Sequence, residues 1–566
     1  MIALLCVSNA LALGVPTDFV RVQEAPRARF VAEGHPFWSL GIDCTDTGVE
    51  PNKIDPKNPG YSALSLFASE KAWVLDTQTK FGNWGVNTLG GWSDDDLFTK
   101  YGGAARPWYT IVLHLGAYDK APWHDLFSSG MYKAIDGAAK AQIPPVKDDP
   151  KLIGYFTDNE LGWWDDTLFS TYLQMPKDAP GRQKLISLLR QRYGTFDAFK
   201  RDWIPTGDSF ETLTDAKLRP LGQGRLTVKA WAGVLATQYY GMVQAAVRRY
   251  DHNHLILGDR YCQYYSLPVL AASRQFIDVA STNLGADWND GSNCRFFLDS
   301  LHEVTGKPVV ISEFYMTARE NRSGDKNSSD GFPVVDTQQE RADATSRYLA
   351  DVSARPYVLG AHWFQYYDEP GNGRGDGENY NMGLVDIHGQ PYELMAKAFA
   401  EFHPRLPVRP AGSAGAPRAP KDPFSSLKAW DRTVAFVSPT NRGGVADLYA
   451  SWSPDGLYLG LYQMDYCDKS LYPGSKVPLG DCSDFRASVN GGSPVDIRFA
   501  DVDPPVVTGP TGVVAKQSGG LRRTLVVFIP SKTPLRRGER ISISADSATH
   551  GRAELSRWST TLVLLK

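Results

Sequence analysis

The chain has little net charge, despite its length of 566 residues. Lys and Arg total 60 against 63 Asp and Glu, which leaves a formal net charge of −3. A nucleic acid or an anionic membrane surface would need a concentrated basic face, and no long run of one sign occurs in the sequence. We therefore expect neither nucleic acid nor membrane as a partner, and a neutral ligand is expected instead.

Cysteine is scarce as well. Of six cysteines, Cys6 lies in an apolar N-terminal stretch, which leaves an odd number for the rest of the chain. Cys467 and Cys482 flank one loop and could close it in an oxidising compartment, and Cys262 with Cys294 forms a weaker candidate pair. Unpaired buried thiols are the alternative, so the sequence leaves the pairing open.

Motifs for metals and cofactors are absent. The sequence has no CxxC motif or His-rich spacing of the kind that binds zinc, and no Gly-rich phosphate loop follows its first predicted strand. The acidic run Asp94–Asp96 could hold a structural calcium ion, although a solvated loop is the preferred interpretation. We expect no metal in the site and no organic cofactor.

Long apolar runs are missing except at the start, where residues 1–14 read MIALLCVSNALALG. This stretch ends in the small-residue pattern Ala10-Leu11-Ala12, which is typical of a cleavable secretory signal, although the usual basic start is missing. It is too short to span a bilayer. We therefore expect a possible signal-peptide remnant at residues 1–14 and a secreted or periplasmic protein.

A segment rich in Pro, Ala and Gly, RLPVRPAGSAGAPRAPKDP from Arg405, divides the chain. Such a composition without a hydrophobic period predicts a linker, which we place at residues 404–420. It separates a large unit, residues 15–403, which we expect to be the catalytic domain, from a smaller unit, residues 421–566. In the smaller unit, short alternating runs bounded by Pro, Gly and Asp predict an antiparallel β-sandwich.

In the large unit, β-rich runs alternate with helical patterns, which indicates βα units and a parallel sheet. Eight such runs favour a closed (β/α)₈ TIM barrel, an α/β fold, over an open doubly wound sheet. Between the fourth and fifth runs lies a long connection with helical stretches from Pro180, and a last helix is predicted from Pro391 to Phe402. The runs begin at Phe37, Val86, Tyr109, Leu152, Leu255, Phe276, Pro308 and Val358.

Two glutamates stand where apolar strands end: Glu160 after the fourth run and Glu313 in the seventh. The carboxyl end of barrel strands is where active sites lie, so both side chains should reach one bowl. Cleavage of a glycosidic bond needs one carboxylic acid and one carboxylate, and their separation decides between retention and inversion. A lone rim carboxylate is more often solvated or paired with Arg, but Asn159 beside Glu160 offers an amide to a sugar hydroxyl.

Several motifs resemble the β-agarases of glycoside hydrolase family 50, within clan A, and more distantly the family 42 β-galactosidases. These motifs are DDPKLIGYFTDNELGW, NTLGGWSD, RQRYGTFDAFKRDW, PVVISEFYM and GAHWFQYYDEPGNGRGDGENYNMGLVD. The likeness runs from about Phe37 to Phe402. It implies that Glu160 is the acid/base, Glu313 the nucleophile and Asn159 the partner of the sugar 2-hydroxyl.

Further candidates follow from the same resemblance and from their positions at strand ends. Trp363 corresponds to an aromatic platform beneath the reacting sugar, with packing inside the barrel mouth as the alternative. Where many clan members place a tyrosine near strand six, this chain has Thr282, Asn283 and Leu284, so Tyr315 is the candidate to supply a hydroxyl to the nucleophile. Other candidate sugar contacts, each with a structural hydrogen-bonding role as the alternative, are Trp92, His114, Asn283, His362, Gln365, Asp368, Glu378, Asn379 and Tyr380.

In the smaller unit, SWSPDGLYLGLY from Ser451 resembles the sandwich modules related to family 9 carbohydrate-binding domains. Trp452, Tyr458 and Tyr462 could form a sugar platform there, but alternate positions on a strand are more often core, and we favour core.

The sequence as a whole predicts a retaining β-glycosidase for galactose-containing glycans, with agarose-type linkages first. The alternatives are a β-galactosidase or another β-glycan hydrolase of the same clan, and a carbohydrate-binding protein without catalysis.

Overall fold

The computed structural model describes residues 19–328, 332–404, 415–467 and 469–566. The expected signal segment, residues 1–14, lies outside the described residues, as do residues 405–414 of the expected linker. Within the described residues, no helix combines the length and the apolar character needed to cross a bilayer.

Eight parallel strand positions form a closed ring, which confirms the (β/α)₈ barrel. Strand one pairs with strands two and eight, and the ring closes through strand five, which is split into two segments. The first segment pairs with strand four and the second with strand six. In chain order the strands are Ser39–Ile42, Thr88–Leu89, Trp108–Val112, Leu152–Phe156, Leu255–Ile256 with Tyr261–Cys262, Ala280–Asn283, Val309–Phe314 and Val358–Trp363.

The barrel strands are buried on both faces because helices cover the outside and side chains fill the inside. In strand four, Ile153 and Phe156 join the interior cluster, whereas Leu152 and Tyr155 pack in the cluster between sheet and helices. A small antiparallel sheet, Arg21–Gln23, Arg29–Ala32 and His35–Phe37, adds its own apolar residues to the interior cluster.

Helices alternate with the barrel strands as the sequence predicts. The connection between strands four and five holds four helices and a two-stranded hairpin, Trp203–Thr206 with Asp215–Leu218. The last barrel helix, Glu393–Ala400, lies inside the predicted range. The helices are Ala63–Leu66, Glu70–Trp84, Asp95–Tyr101, Ser129–Gln142, Asp165–Gln174, Pro180–Tyr193, Phe196–Asp202, Gly224–Tyr250, Leu267–Ser273, Phe296–Thr305, Gln338–Ser353, Glu393–Ala400 and Arg432–Ala435.

The C-terminal part packs a six-stranded sheet against a five-stranded sheet over an apolar core that contains Trp452. Tyr462 is buried, and its hydroxyl donates to Asp287 of the barrel part. Neither ring is available as an exposed sugar platform. The sheets contain, in spatial order, Gly415–Ala416, Leu555–Leu564, Arg540–Ala548, Ser483–Val489, Val495–Phe499 and Val506–Thr508, and Phe436–Val437, Ala446–Ser453, Gly456–Met464, Arg522–Pro530 and Val514–Gly519.

The described end of the expected linker belongs to this sandwich, because Gly415–Ala416 pairs with strand Leu555–Leu564. Polar contacts also join the sandwich to the barrel part. The Asp447 carboxylate accepts from the backbone N–H groups of Arg295 and Phe296, and Lys229 forms an ion pair with Glu554.

Neither candidate disulfide is formed, so the alternative of unpaired thiols holds for the described residues. The five cysteines in the described part of the chain, Cys44, Cys262, Cys294, Cys467 and Cys482, are all free thiols. Cys467 instead accepts a hydrogen bond from Arg225, and Cys294 is buried.

Candidate active site

Both predicted glutamates lie at the carboxyl end of the barrel. Glu313 belongs to strand seven and is 8% exposed, whereas Glu160 follows strand four and is exposed to solvent. The backbone N–H of Glu160 donates to the carbonyls of Asp259 and Arg260, next to the break in strand five. The site therefore combines one buried and one open carboxyl group.

Arg260 is the central cation of the site, and its side chain is completely buried. Its Nη2 contacts a carboxylate oxygen of Glu313 and, at 3.1 Å, Oδ2 of Asp43. Its Nε donates to Oδ1 of Asn159 at 2.8 Å. Sequence reasoning missed this residue, although its position in the polar ending GDRY of strand five matches that of the other candidates.

Asn283, at the end of strand six, completes the connection between the two glutamates. Its Nδ2 donates to Glu160 at 2.9 Å and to Oδ1 of Asn159 at 3.2 Å. The hydroxyl of Ser312, the residue before Glu313, donates to Oδ1 of Asn283 at 2.8 Å. Asn283 thus orients the two side chains of the NE pair rather than standing free for substrate.

The pKa values of the two buried carboxyl groups, Asp43 and Glu313, are set by burial and by the charges around them. Burial raises the pKa of Glu313 to about 8, with Arg260 opposing the shift and the charges of Glu160 and Asp43 adding to it. Burial likewise raises the pKa of Asp43 to about 7 against the effect of Arg260. One guanidinium serves two buried carboxyl groups, so they compete for its stabilisation.

Five residues at the ends of barrel strands one to five hold left-handed backbone angles, with φ between 49° and 56°. Such angles cost a non-glycine residue roughly 1–3 kcal/mol and concentrate at functional sites. The five residues are Cys44, Trp92, His114, Glu160 and Arg260.

Trp92 and His114 form a pair whose hydrogen bonding can be assigned. Trp92 Nε1–H can only donate, and it donates to Nε2 of His114 at 3.0 Å. The proton of the neutral imidazole therefore resides on Nδ1, which is left as a donor. Burial, and then Arg260, lower the pKa of His114, so the ring is neutral near pH 7. Both residues remain candidate sugar contacts.

Trp363 is not a platform in this structure, because it is 0% exposed. Its indole N–H donates to the carbonyl of Met382, and its ring packs edge-on against Phe314 and Phe399. The packing alternative therefore holds. The next residue, Phe364, instead lies 6.4 Å from the Trp92 ring, in a cluster with Tyr315 and Tyr380.

Other predicted contacts have structural roles in this geometry. His362 is fully buried and its Nε2 pairs with the Ser39 hydroxyl at 2.9 Å. Asp368 is also fully buried, and its oxygens accept from a backbone N–H and three side chains. Asn379 binds the backbone of residues 326 and 371, and Gln365, 2% exposed, donates to the Tyr367 carbonyl.

Two further candidates are positioned differently from the expectation. The hydroxyl of Tyr315 accepts from Gln263 at 2.6 Å, and the contact to Glu313 is made by Arg260 instead. Glu378 forms an ion pair with Arg374 at 2.7 Å at the edge of the strand-eight loop.

The described residues contain no cluster of three or more His, Cys, Asp or Glu side chains arranged to hold a metal ion. In the acidic run, Asp94 accepts a hydrogen bond from the backbone N–H of Thr47, and Asp95 and Asp96 lie in the first turn of a helix.

The chain is similar in sequence to two curated β-agarases. No family model matches the chain. It is 30% identical to Beta-agarase A of Vibrio sp. (strain JT0107) over 410 residues, which is 65% of this chain and 40% of the relative. It is 28% identical to Beta-agarase B of the same organism over 354 residues, 59% of this chain and 36% of the relative. The chain thus matches less than half the length of these relatives.

Among solved structures, the fold is similar to that of an agarase, AgWH50C, with a TM-score of 0.57, 23% identity and coverage of 68% of this chain and 64% of that chain. An exo-beta-agarase matches with a TM-score of 0.58, 23% identity and the same two coverages. The resemblance to the family 50 glycoside hydrolases is therefore confirmed, in sequence by curated β-agarases and in fold by solved agarases.

Proposed function

We propose that the protein is a retaining β-glycosidase that hydrolyses galactose-containing glycans, agarose or its oligosaccharides first. The observation that carries the proposal is the single hydrogen-bond network that joins Glu160 and Glu313 through Asn283, Asn159 and Arg260. Two carboxyl groups that serve one glycosidic bond must be held in a fixed mutual geometry, and this network supplies it.

In the first step, a carboxylate oxygen of Glu313 attacks the anomeric carbon as the bond to the leaving oxygen breaks. Glu160 transfers its proton to that oxygen, which leaves as a free hydroxyl of the departing sugar. In the second step, Glu160 takes a proton from water, and the water oxygen attacks the anomeric carbon. The ester bond breaks, Glu313 is regenerated, and the configuration is retained after two inversions.

The surrounding side chains have distinct tasks in this mechanism. Arg260 stabilises the ionised form of Glu313, which must be ionised to attack. Asn159 Oδ1 already accepts from Arg260 and Asn283, so its Nδ2 hydrogens remain to donate to a sugar 2-hydroxyl. His114 Nδ1–H adds a second neutral donor.

The choice of sugar rests on relatives rather than on a contact in this chain. Both curated relatives carry the name Beta-agarase, and the fold matches proteins described as agarases. A polymeric glycan cannot cross a bilayer, so we infer that the protein acts after export, in a secreted or periplasmic location.

The test is product analysis on agarose, neoagaro-oligosaccharides, aryl β-galactosides and other β-glycans, with the anomeric configuration followed by NMR at early times. We expect β-configured first products from agarose-type substrates. Glu160→Ala should lower turnover by about 10²- to 10⁴-fold, and Glu313→Ala should abolish it while glycan binding persists. Glu393→Gln, an exposed glutamate on the last barrel helix, is the control and should leave turnover unchanged.

Three outcomes would contradict parts of the proposal. An α-configured first product would mean inversion. Activity confined to other β-glycans would keep the mechanism and replace the sugar. A wild-type protein that binds glycan but never cleaves it would favour the binding-protein alternative.

A further inference from the structure

Tyr118 is a large aromatic side chain that the fold leaves in solvent. At 79% it is the most exposed of the large apolar side chains in the described part of the chain. A ring in that position contributes little to the core, and a tyrosine ring joins an apolar face to a hydroxyl that bonds water. Whether this exposed ring can contact a substrate depends on where it lies relative to Glu160 and Glu313.

The turn that carries Tyr118 is fastened to the catalytic segment. Tyr118 lies in the short helical turn Ala117–Asp119, after strand three. The backbone N–H groups of Gly116 and Ala117 donate to the Asp158 carboxylate at 2.9 and 2.8 Å. Asp158 is fully buried and stands two residues before Glu160.

The Asp158 carboxylate is fixed from the other side as well, because the Tyr239 hydroxyl donates to it at 2.5 Å. The exposed ring of Tyr118 is therefore presented by a backbone whose position is set by the same segment that positions the acid/base.

Tyr118 also continues a row of rings that begins at the buried cation. The Arg260 guanidinium lies 4.4 Å from the centre of the Trp92 ring. Trp92 and His114 are stacked, with centroids 6.1 Å apart, and His114 lies 5.5 Å from Tyr118 at an angle of 51°. The row of rings thus leads from Arg260, which contacts Glu313, outward to the solvent-exposed Tyr118.

We propose that Tyr118 is an outer sugar-binding platform, on which a residue of a long neutral polysaccharide stacks away from the point of cleavage. The proposal rests on the proposed function and adds a determinant of preference for long over short substrates. The faces of pyranose rings present C–H groups that pack on flat aromatic rings. The exposed Asp119 and Lys120 beside Tyr118 carry opposite charges, so they add no net charge that would disfavour an uncharged chain.

The test compares Tyr118→Ala with Tyr118→Trp, and with Tyr132→Ala as the matched control. Tyr132 is another exposed tyrosine, 43% exposed, on the helix Ser129–Gln142, where its hydroxyl accepts from Arg249. For agarose and long oligosaccharides, Tyr118→Ala should raise KM about three- to tenfold, the effect of losing one aromatic contact, with kcat unchanged. KM for the shortest cleaved substrate should not change, and Tyr118→Trp should keep the low KM for the polymer.

The proposal is overturned if Tyr118→Ala raises KM for polymer no more than Tyr132→Ala does, or raises KM equally for short substrates. Either result leaves the proposed function standing. If the wild type cleaves no glycan, the proposed function fails, and electrophoresis in gels containing agarose-type polysaccharide decides on Tyr118. Retardation that Tyr118→Ala alone relieves supports the platform, and any other pattern refutes it.

Discussion

Replacing Asp43 by Asn should shift the pH dependence of hydrolysis to lower pH. Asp43 and Glu313 both contact Nη2 of Arg260, and the Asp43 charge raises the pKa of Glu313. Glu313 must be ionised to attack, and burial raises its pKa to about 8. The acidic limb of kcat/KM in the wild type should therefore lie near pH 8, and removing a neighbouring negative charge should move it down.

The size of the shift follows from the shared nitrogen. Two carboxyl oxygens that contact one nitrogen lie roughly 5 Å apart, where unit charges repel by about 3 kcal/mol at an effective dielectric constant of about 20. At about 1.4 kcal/mol per pK unit, this corresponds to about 2 units. The pKa of Asp43 is itself raised to about 7, so Asp43 is only partly ionised across the transition. We expect a net shift of about 1 pH unit.

The assay measures kcat/KM on a soluble oligosaccharide between about pH 5 and 10, at intervals of roughly half a pH unit. The amide introduced by Asp43→Asn keeps a carbonyl oxygen that can accept from the Gly91 N–H, as Asp43 does at 2.8 Å, so the fold should be preserved. Asp46→Asn is the control: Asp46 is a partly buried carboxylate that accepts from Gly48 and Tyr367 rather than from Arg260. An acidic limb that stays in place in Asp43→Asn, or moves upward, would refute the reasoning.

Three further predictions concern other contacts. Asn283→Ala removes the donor to Glu160 and should lower kcat about 10- to 100-fold, the worth of one charge-assisted hydrogen bond, with Asn283→Gln tested for partial recovery in the same rate assay. Thr337→Ala removes the capping box of helix Gln338–Ser353 and should lower the free energy of unfolding by about 1 kcal/mol in urea titrations, without changing kcat. His550 is nearly fully buried; burial alone would lower its pKa, but hydrogen bonds with Asp465 and Cys467 raise it to about 10. Its contribution to stability should be complete below about pH 6.5 and disappear as pH rises through 10, so urea midpoints should fall over that range in the wild type and less so in His550→Gln.

The barrel and the glutamate pair could be predicted because they depend on patterns local to each strand. The eight runs are rich in β-forming residues, and Glu160 and Glu313 stand where two of them end. The resemblance to family 50 then assigned their roles, which remain a proposal. Asn283 was named as a substrate contact, but its orienting bond to Glu160 depends on strands four and six meeting in space.

The rest depended on three-dimensional details that one sequence does not contain. Trp363 and Phe364 are adjacent aromatics, and a shift of one position decides which is buried in the barrel and which lies in the cluster near Trp92. Arg260 was missed because a single arginine after a strand has no pattern of its own, and its importance lies in the three side chains that it contacts. The sequence left the cysteine pairing open because spacing in sequence does not give distance in space.

The interruption of strand five matters for attempts to engineer this protein. Gly258 and Arg260 hold φ angles of 82° and 54° between the segments Leu255–Ile256 and Tyr261–Cys262. Straightening this stretch with strand-forming residues is an obvious route to a more heat-resistant variant, because the left-handed angles cost free energy. The same change would move the Arg260 guanidinium away from Asp43 and Glu313 and leave two buried carboxyl groups without their cation. That loss, roughly 3–5 kcal/mol, exceeds the backbone gain, so both turnover and heat resistance would fall.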